Sequence, residues 1–143
     1  MPLESLPCEY LFTLTAGTTS VPPVTIADGP QGSRLIVTVS GGSFEGPRLR
    51  GKVAEVAAGD WLTMRADGSF RLDVRLVLET DDGASILMSY NGVGTRTDDG
   101  ATVRSAPTFE TGDERYTWLN GVQAVGLGAT GGPGIIYDVY AIT

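Results

Sequence analysis

The side chains available for chemistry in this chain are carboxylates, arginines and tyrosines, because its 143 residues include no histidine and a single cysteine, Cys8. A serine or cysteine nucleophile usually needs an imidazole as its base. Zinc sites need several histidine or cysteine ligands, which a lone thiol cannot supply. We therefore expect no nucleophile of this kind and no metal site.

Glu45 and Arg48 form the first candidate pair, inside a glycine-rich segment that reads GGSFEGPRL and spans residues 41–49. Glycine lets a backbone bend sharply or approach a ligand closely. One interpretation is a strand bend or bulge at the corner of a barrel. The other is that Glu45 acts as an acid/base group at the mouth of a cavity. The residues leave both open.

Asp60 and Arg75 form the second candidate pair. Arg75 lies in the middle of a predicted strand, on the face opposite its apolar residues. If that face lines a barrel interior, the buried guanidinium must pair with an acid such as Asp60 or Asp73. If it faces water, the strand carries a solvated stripe with cross-strand pairs, made of Arg71, Asp73, Arg75 and Glu79. Trp61 and Trp118 either belong to the core or form the wall of a pocket for a flat ligand.

Turns and strands must position these groups. Four Asp-Gly pairs predict hairpin turns of type I′; they are Asp28-Gly29, Asp67-Gly68, Asp82-Gly83 and Asp99-Gly100. Alternating apolar residues between the turns predict strands; we expect one at Phe70–Leu78, one at Tyr116–Val122 and a last, fully covered one at Ile135–Ile142. Eight to ten strands with little helix predict an all-β fold, a closed antiparallel barrel or a sandwich. Gly17–Gly32 is expected to be a long irregular loop that acts as a lid or rim.

Composition narrows the partners and the compartment. The net charge of −7 argues against nucleic acid and against an anionic membrane surface. We expect one domain over residues 1–143, no transmembrane helix, no signal peptide and a cytoplasmic location. Nine of the ten basic residues are arginine. This skew reflects either genome composition or bidentate binding of carboxylates or enolates.

Two motifs are read as turns rather than as binding sites. The run Gly126-Leu127-Gly128-Ala129-Thr130-Gly131 has the spacing of a dinucleotide-binding fingerprint. The required helix and later acidic residue do not follow, because Gly132-Pro133-Gly134 comes next and the sequence stops at Thr143. The acidic pairs Asp81-Asp82 and Asp98-Asp99 each precede glycine and fit turns better than a cation site. We therefore expect no cofactor.

The motifs resemble those of a known family, domain of unknown function 3237, also called uncharacterised protein family 0311. The matching stretches read GGSFEGPRLRGKV at 41–53, GDW at 59–61, ADGSFRLDVRLVLETDDGASILMSYNGVG at 66–94 and PTFETGDERYTWLN at 107–120. The resemblance implies a single-domain antiparallel β-barrel of about 8–10 strands. Family members tend to have a glycine pair where this chain has Ala57-Ala58, which puts a role for backbone amides there in doubt.

The resemblance also implies a set of site residues. The recurring positions are Arg34, Glu45, Arg48, Asp60, Trp61, Arg75, Tyr90, Glu110, Tyr116 and Trp118. From this set we expect Glu45, Asp60, Arg75 and Tyr90 to be catalytic and the other six to bind substrate. A recurring mid-strand arginine is more easily explained inside the barrel, so the resemblance places Arg75 there.

Three functions follow from these expectations. The first is a cofactor-independent isomerase, cyclase or lyase for a small carbonyl-containing or aromatic metabolite. In it Glu45 or Asp60 transfers a proton, and Tyr90, Tyr116 or an arginine stabilises an oxyanion. The second is a non-catalytic carrier or sensor of a small apolar or aromatic ligand. The third is a structural protein with a filled barrel; a homo-oligomer is a further expectation.

Overall fold

The computed structural model describes residues 1–18, 21–131 and 134–143, and these residues are mostly β-strand. The strands are β1 (Cys8–Thr18), β2 (Val24–Gly29), β3 (Gly32–Glu45), β4 (Arg50–Val53), β5 (Gly59–Met64), β6 (Phe70–Thr80), β7 (Ser85–Thr97), β8 (Gly100–Ser105), β9 (Thr108–Glu110), β10 (Ala124–Gly131) and β11 (Gly134–Ile142). One short 3-10 helix, Thr117–Gly121, lies between β9 and β10. In the described part of the chain, no helix is both long and apolar enough to cross a membrane.

Eight of the strands close into an antiparallel barrel. The hydrogen-bonded pairs run β1–β3, β3–β5, β5–β6, β6–β7, β7–β8, β8–β10, β10–β11 and back from β11 to β1. The other strands extend the wall: β2 pairs with β3, β4 bridges β3 and β6, and β9 pairs with β7. The predicted antiparallel barrel is therefore confirmed.

Alternation along β6 shows why these residues form a barrel wall. Phe70, Leu72, Val74, Leu76 and Leu78 are buried, while Arg71, Asp73 and Arg75 between them are exposed. Successive strand residues point to opposite faces, so one face joins the interior and the other meets water. Burying each large apolar side chain contributes about 1.5–3 kcal/mol. The solvated-stripe interpretation of the polar residues is thus confirmed.

Aromatic and aliphatic side chains fill much of the interior. The Phe12 ring packs edge to face against Phe44 and Phe109, with ring centroids 5.6 and 5.9 Å apart. Phe12 and Leu14 are fully buried. Because protein interiors are close-packed, these side chains leave little open space at the centre of the described part of the barrel.

A bend in β3 lets this strand pair with different partners along its length. Residues 33–38 pair with β5, whereas Ser43–Glu45 pair with β1 and β4. Between them, Gly41 and Gly42 have φ angles of 69° and 121°, a region that side chains disfavour. A Cβ atom at Gly42 would also collide with the Thr15 carbonyl oxygen. The bend interpretation of the 41–49 segment is therefore correct.

Several sequence-based expectations about the local structure are wrong. The four Asp-Gly pairs do lie at hairpins, but none has positive φ at both residues, as a type I′ turn requires: only Asp28 among the aspartates has positive φ, and Gly29 after it does not. Most of the expected Gly17–Gly32 loop is strand, because β2 pairs with β3; residues 19 and 20 of that loop lie outside the described residues. The expected strand at Tyr116–Val122 contains the 3-10 helix instead.

The glycine run at 126–131 is a strand and not a turn. It forms most of β10, which pairs with β8 and β11, and the following residues 132 and 133 lie outside the described residues. The last strand, β11, is covered on one face only: Tyr137 and Val139 are buried, whereas Ile136 and Asp138 are exposed. Local composition predicts the glycine run and the last strand wrongly because it does not show which face of a strand points into the barrel.

We predict that Gly42→Ala destabilises the barrel by at least about 2 kcal/mol, because the new side chain requires a disfavoured backbone conformation and meets the Thr15 carbonyl. Gly112→Ala is the matched control, since nothing lies near a Cβ atom there. Urea denaturation of both variants checks the prediction. Equal midpoints for the two variants would contradict it.

Candidate active site

A cavity of about 160 Å³ opens between β1, β3, β5, β6, β7 and β11. Most of its lining is aliphatic, from side chains such as Val37, Leu62, Val74 and Ile135. Three titratable side chains of the described residues also line it; they are Asp60, Tyr90 and Tyr137. An apolar pocket with a few convergent polar groups is the usual design of a small-molecule site.

Asp60 is positioned by an interruption in the barrel wall. The β5–β6 ladder pairs Asp60 with Val74 and resumes at Thr63 with Arg71, so regular pairing is missing in between. The backbone N–H of Asp73 in this interval donates a 3.0 Å hydrogen bond to Asp60 Oδ1. The carboxylate thus substitutes for a missing ladder acceptor, which holds it at the cavity although its side chain is buried.

Burial raises the pKa of the Asp60 carboxyl from 3.8 to about 6. Desolvation is the largest cause, because the apolar surroundings disfavour the charged form. The hydrogen bond from the Asp73 amide lowers the pKa, and the nearby Asp73 carboxylate raises it again. Asp60 therefore exchanges its proton close to neutral pH.

Tyr90 and Tyr137 form an aromatic pair beside this carboxylate. Their ring centroids are 5.5 Å apart, with an interplanar angle of 65°. Burial, followed by the neighbouring Tyr137, holds the pKa of Tyr90 well above its usual range. Burial also raises the pKa of Tyr137 to about 12. Both phenols therefore stay protonated near neutral pH, where they can donate hydrogen bonds but cannot act as bases.

Gly128 makes room for the Tyr137 ring. A Cβ atom at Gly128 would overlap Cε1 and Cδ1 of Tyr137 and lie 3.3 Å from the Val103 Cβ. The ring therefore lies across the bare backbone of β10, and its position depends on the missing side chain. The glycine run that resembles a nucleotide motif serves here as a packing surface for a tyrosine.

Arg75 lies outside the barrel, so the expectation that its guanidinium lines the interior is wrong. Arg75 alternates with the buried Val74 and Leu76 and is exposed. The physical reason is the two-residue period of a strand, which sends neighbours of inward residues outward. No arginine of the described chain lines the cavity.

Glu45 is also away from the cavity. It is exposed at the end of β3, where it pairs with Thr13 and Arg50. It does not line the apolar cavity, because the bend at Gly41 and Gly42 directs the end of β3 elsewhere. Together with Arg50 and Asp81 it lines a separate shallow depression. Of the four residues predicted to be catalytic, the structure brings together Asp60 and Tyr90.

Two of the predicted substrate-binding residues, Arg48 and Tyr116, line a different depression, and Trp118 packs against Arg48. The Arg48 guanidinium lies 3.6 Å from the ring centroid of Trp118 and 3.6 Å from Glu9 Oε1. The Tyr116 hydroxyl donates a 2.7 Å hydrogen bond to Asp82 Oδ2. None of these residues lines the apolar cavity.

The remaining three predicted residues also lie outside the cavity. Glu110 is exposed at the end of β9. Arg34 and Trp61 line a groove on the outer side of β5. The predicted set therefore spans several surfaces and does not form a single site.

Tyr137 is the site residue that sequence reasoning missed. Its signal is the alternation of Tyr137, Val139 and Ala141, all buried, with exposed Asp138. The signal is weak because isoleucines on the outer face make β11 look apolar on both sides. Within the described residues, no group of three or more acidic or cysteine side chains is placed to hold a metal ion.

We predict that Asp60→Asn changes the pH dependence of stability. Folding raises the pKa of Asp60 from 3.8 to about 6, so the folded state favours the protonated carboxyl. This preference stabilises the fold below about pH 3.8 and is lost as the pH rises from 3.8 to about 6. A shift of this size corresponds to about 3 kcal/mol. We subtract the free energy of unfolding of the parent from that of the variant at each pH. This difference should be about 3 kcal/mol larger at about pH 7.5 than at about pH 3.5.

Urea denaturation at the two pH values measures this difference. A difference between variant and parent that does not change with pH would show that Asp60 is not desolvated.

We predict that Gly128→Ala costs about 2 kcal/mol of stability through overpacking against the Tyr137 ring. Gly121→Ala is the matched control, because its Cβ position is open. In a Tyr137→Ala background, Gly128→Ala should cost much less, since the ring is gone. Chemical denaturation of this double-mutant cycle checks the coupling; a cost unchanged by the loss of the ring would refute it.

Comparison with known proteins places this geometry in a family. The pattern of the family described as "Protein of unknown function (DUF3237)" matches residues 7–142. A relative from Penicillium herquei named "Hydroalkoxylation enzyme phnH" is 34% identical over 119 residues, which cover 82% of this chain and 71% of the relative. A UPF0311 protein of Rhodopseudomonas palustris is 28% identical over 96% of this chain and 97% of its own length.

The fold is shared with a solved structure. A β-barrel-like protein of Acinetobacter baumannii superposes with a TM-score of 0.89 and 27% identity, over 99% of each chain. Sequence and fold thus agree over nearly the whole length of the chain. The protein belongs to the DUF3237 family.

Proposed function

We propose that this protein is a cofactor-independent enzyme that moves a proton within a small carbonyl-containing or aromatic molecule bound in the cavity. The observation that carries the proposal is the placement of Asp60, a carboxyl with a pKa of about 6, in an apolar cavity beside two protonated tyrosines. Acid/base groups work best when their pKa lies near the working pH. Isomerisation, cyclisation and elimination are the reaction classes that need only such a group.

The proposed mechanism assigns one role to each side chain. Ionised Asp60 removes a proton from an O–H or C–H group of the ligand, and the resulting carboxylic acid returns it to another ligand atom. The Tyr90 hydroxyl donates to the Tyr137 hydroxyl, and Tyr137 in turn donates a hydrogen bond to the ligand oxygen on which negative charge develops. Since no arginine of the described chain lines the cavity, the oxyanion role falls to the tyrosines.

The Penicillium herquei relative, named as a hydroalkoxylation enzyme, supports an addition reaction of this type. Hydroalkoxylation adds the O–H bond of an alcohol or phenol across a carbon–carbon double bond and gives an ether. A C–O bond forms, the π bond breaks, and the hydroxyl proton ends on the neighbouring carbon. Asp60 can take the hydroxyl proton and supply the carbon proton, so that the step needs no co-reactant. Ring closure of this kind is a cyclase reaction.

The cavity volume limits the size of the buried group. A cavity of about 160 Å³ is close to the engineered cavity of about 150 Å³ that binds benzene. The described walls therefore accommodate one ring or a short alkenyl chain. This small, mostly apolar space also suits the second candidate function, a carrier that holds such a ligand without changing it.

A turnover assay in heavy water separates these functions. A panel of small alkenyl alcohols and alkenyl phenols is incubated with the protein in D₂O, and mass spectrometry detects cyclised product carrying one carbon-bound deuterium. We predict that Asp60→Asn lowers turnover at least about 100-fold, a typical acid/base loss. Glu45→Gln and Arg75→Gln are matched controls that should stay within about twofold of the parent, because both side chains are exposed outside the cavity.

Undiminished turnover in Asp60→Asn would contradict the proposed role of the carboxylate. Compounds that bind the parent protein but are recovered without change or deuterium would contradict the enzyme and support the carrier.

A further inference from the structure

We propose that a groove on the outer wall of the barrel is a binding site for an aromatic carboxylate. The groove, here called the arginine groove, has a volume of about 360 Å³ and is lined by Arg34, Arg65, Arg71, Trp61, Thr63 and Asp73, among others. It shares no lining residue with the apolar cavity. The proposal therefore stands independently of the enzymatic function.

Strand register brings the arginines together. Arg34 on β3 pairs with Thr63 on β5, and Thr63 pairs with Arg71 on β6. These three residues form one row across adjacent strands, which are about 4.8 Å apart. The two guanidinium-bearing residues are thus separated by a single small side chain, and a planar anion fits between them.

The positive charge of the arginine groove has no acidic partner in ion-pair contact. In the described part of the chain, the ion pairs involve Arg48, Arg50, Lys52 and Arg115, and none includes the three arginines of the groove. Arg34 Nη1 donates a 2.7 Å hydrogen bond to Thr63 Oγ1, and Arg65 Nε donates a 2.9 Å bond to Ser69 Oγ. These bonds orient two guanidiniums and leave most of their N–H donors available for an anion.

This concentration of positive charge contrasts with the chain as a whole, whose net charge is −7. Three arginines, against Asp73 in the lining and Asp67 near Arg65, give the groove a local excess of positive charge. Such an excess attracts anionic ligands. Guanidinium groups bind carboxylates in a bidentate fashion that lysine cannot reproduce.

Trp61 supplies the aromatic part of the proposed site. Its side chain is 49% exposed, which is high for a residue of its size and apolar character. The ring lies against Gly59, where a Cβ atom would be 3.4 Å from Trp61 Cζ3. An exposed indole beside guanidiniums offers a flat surface on which a ring can stack while its carboxylate reaches the arginines.

The exposed Trp61 ring favours a flat carboxylic acid over a phosphate. The net charge of the groove is positive, so charge alone would favour phosphate, which carries close to two charges at neutral pH; Asp73 in the same groove offsets part of that advantage. An aromatic carboxylate gains a stacking contact with the indole and a planar bidentate contact with a guanidinium. Inorganic phosphate has no ring to stack, so the groove matches a flat carboxylic acid better.

Titration with benzoate, followed by NMR of the indole N–H groups, tests this site. Benzoate should shift the Trp61 resonance in a saturable way and leave that of Trp118, which packs against Arg48, in place. Trp118→Phe assigns the two signals. Arg34→Gln and Arg71→Gln should each weaken binding at least about tenfold. Arg75→Gln, an exposed arginine four residues along the same strand, should leave the affinity within about twofold.

Three further compounds define the ligand class. Benzamide keeps the ring and removes the charge, cyclohexanecarboxylate keeps the charge and removes the flat ring, and inorganic phosphate supplies a tetrahedral anion. Each should bind at least about tenfold more weakly than benzoate. The proposal is overturned if benzoate does not saturate, if any of these compounds binds as tightly, or if Arg71→Gln and Arg75→Gln have equal effects.

Discussion

The hydrogen bond from the Asp73 amide to the Asp60 carboxylate is the interaction on which this account of the site depends. It joins an interruption in the barrel wall to a buried acid, since the amide lacks a regular ladder partner and the acid lies at the cavity with little exposure. Two effects oppose each other at this point. The amide favours the ionised carboxylate, but desolvation outweighs it and leaves the pKa at about 6. The interruption in strand pairing thus holds the carboxylate in place, and burial brings its pKa close to neutral.

Glycines determine how the rest of the barrel surrounds that group. The bend at Gly41 and Gly42 lets β3 leave β5 and pair with β1 and β4. The bare backbone at Gly128 admits the Tyr137 ring, and a similar vacancy at Gly94 admits the Phe70 ring. Because glycine has no side chain, large aromatic rings can pack directly against the backbone of Gly94 and Gly128. Much of the described interior is filled as a result, and the cavity at Asp60 measures about 160 Å³.

Local patterning predicts an all-β antiparallel fold from the sequence, and the family resemblance favours the barrel over the sandwich. Alternation in β6 and the Asp-Gly turns predict antiparallel hairpins, and the structure has them. Asp60 and Tyr90 were predicted as site residues and do meet in one cavity. The prediction for Arg75 is wrong because the family resemblance places it inside the barrel, whereas the alternation with its apolar neighbours Val74 and Leu76 indicates an outward side chain.

Other features depend on which face of a strand turns inward, which composition does not reveal. Tyr137 was missed because β11 is apolar on its outer face too, with Ile136 42% exposed. The glycine run in β10 predicts a turn because glycine is rare within strands. In the structure the absence of a side chain at Gly128 leaves room for the Tyr137 ring, a contact that the sequence does not reveal. The arginine groove likewise arises from cross-strand register, which joins residues far apart in sequence.

The titration of Asp60 is the most direct test of the central claim that a buried carboxyl exchanges its proton near neutral pH. Carbon-detected NMR of the side-chain carboxyl, assigned by comparison with the Asp60→Asn variant, reports its protonation as pH is varied. The account predicts a midpoint at about 6. A midpoint near 3.8, the value of a solvated aspartate, would show that the carboxylate is hydrated and would contradict its role as the acid/base group of the cavity.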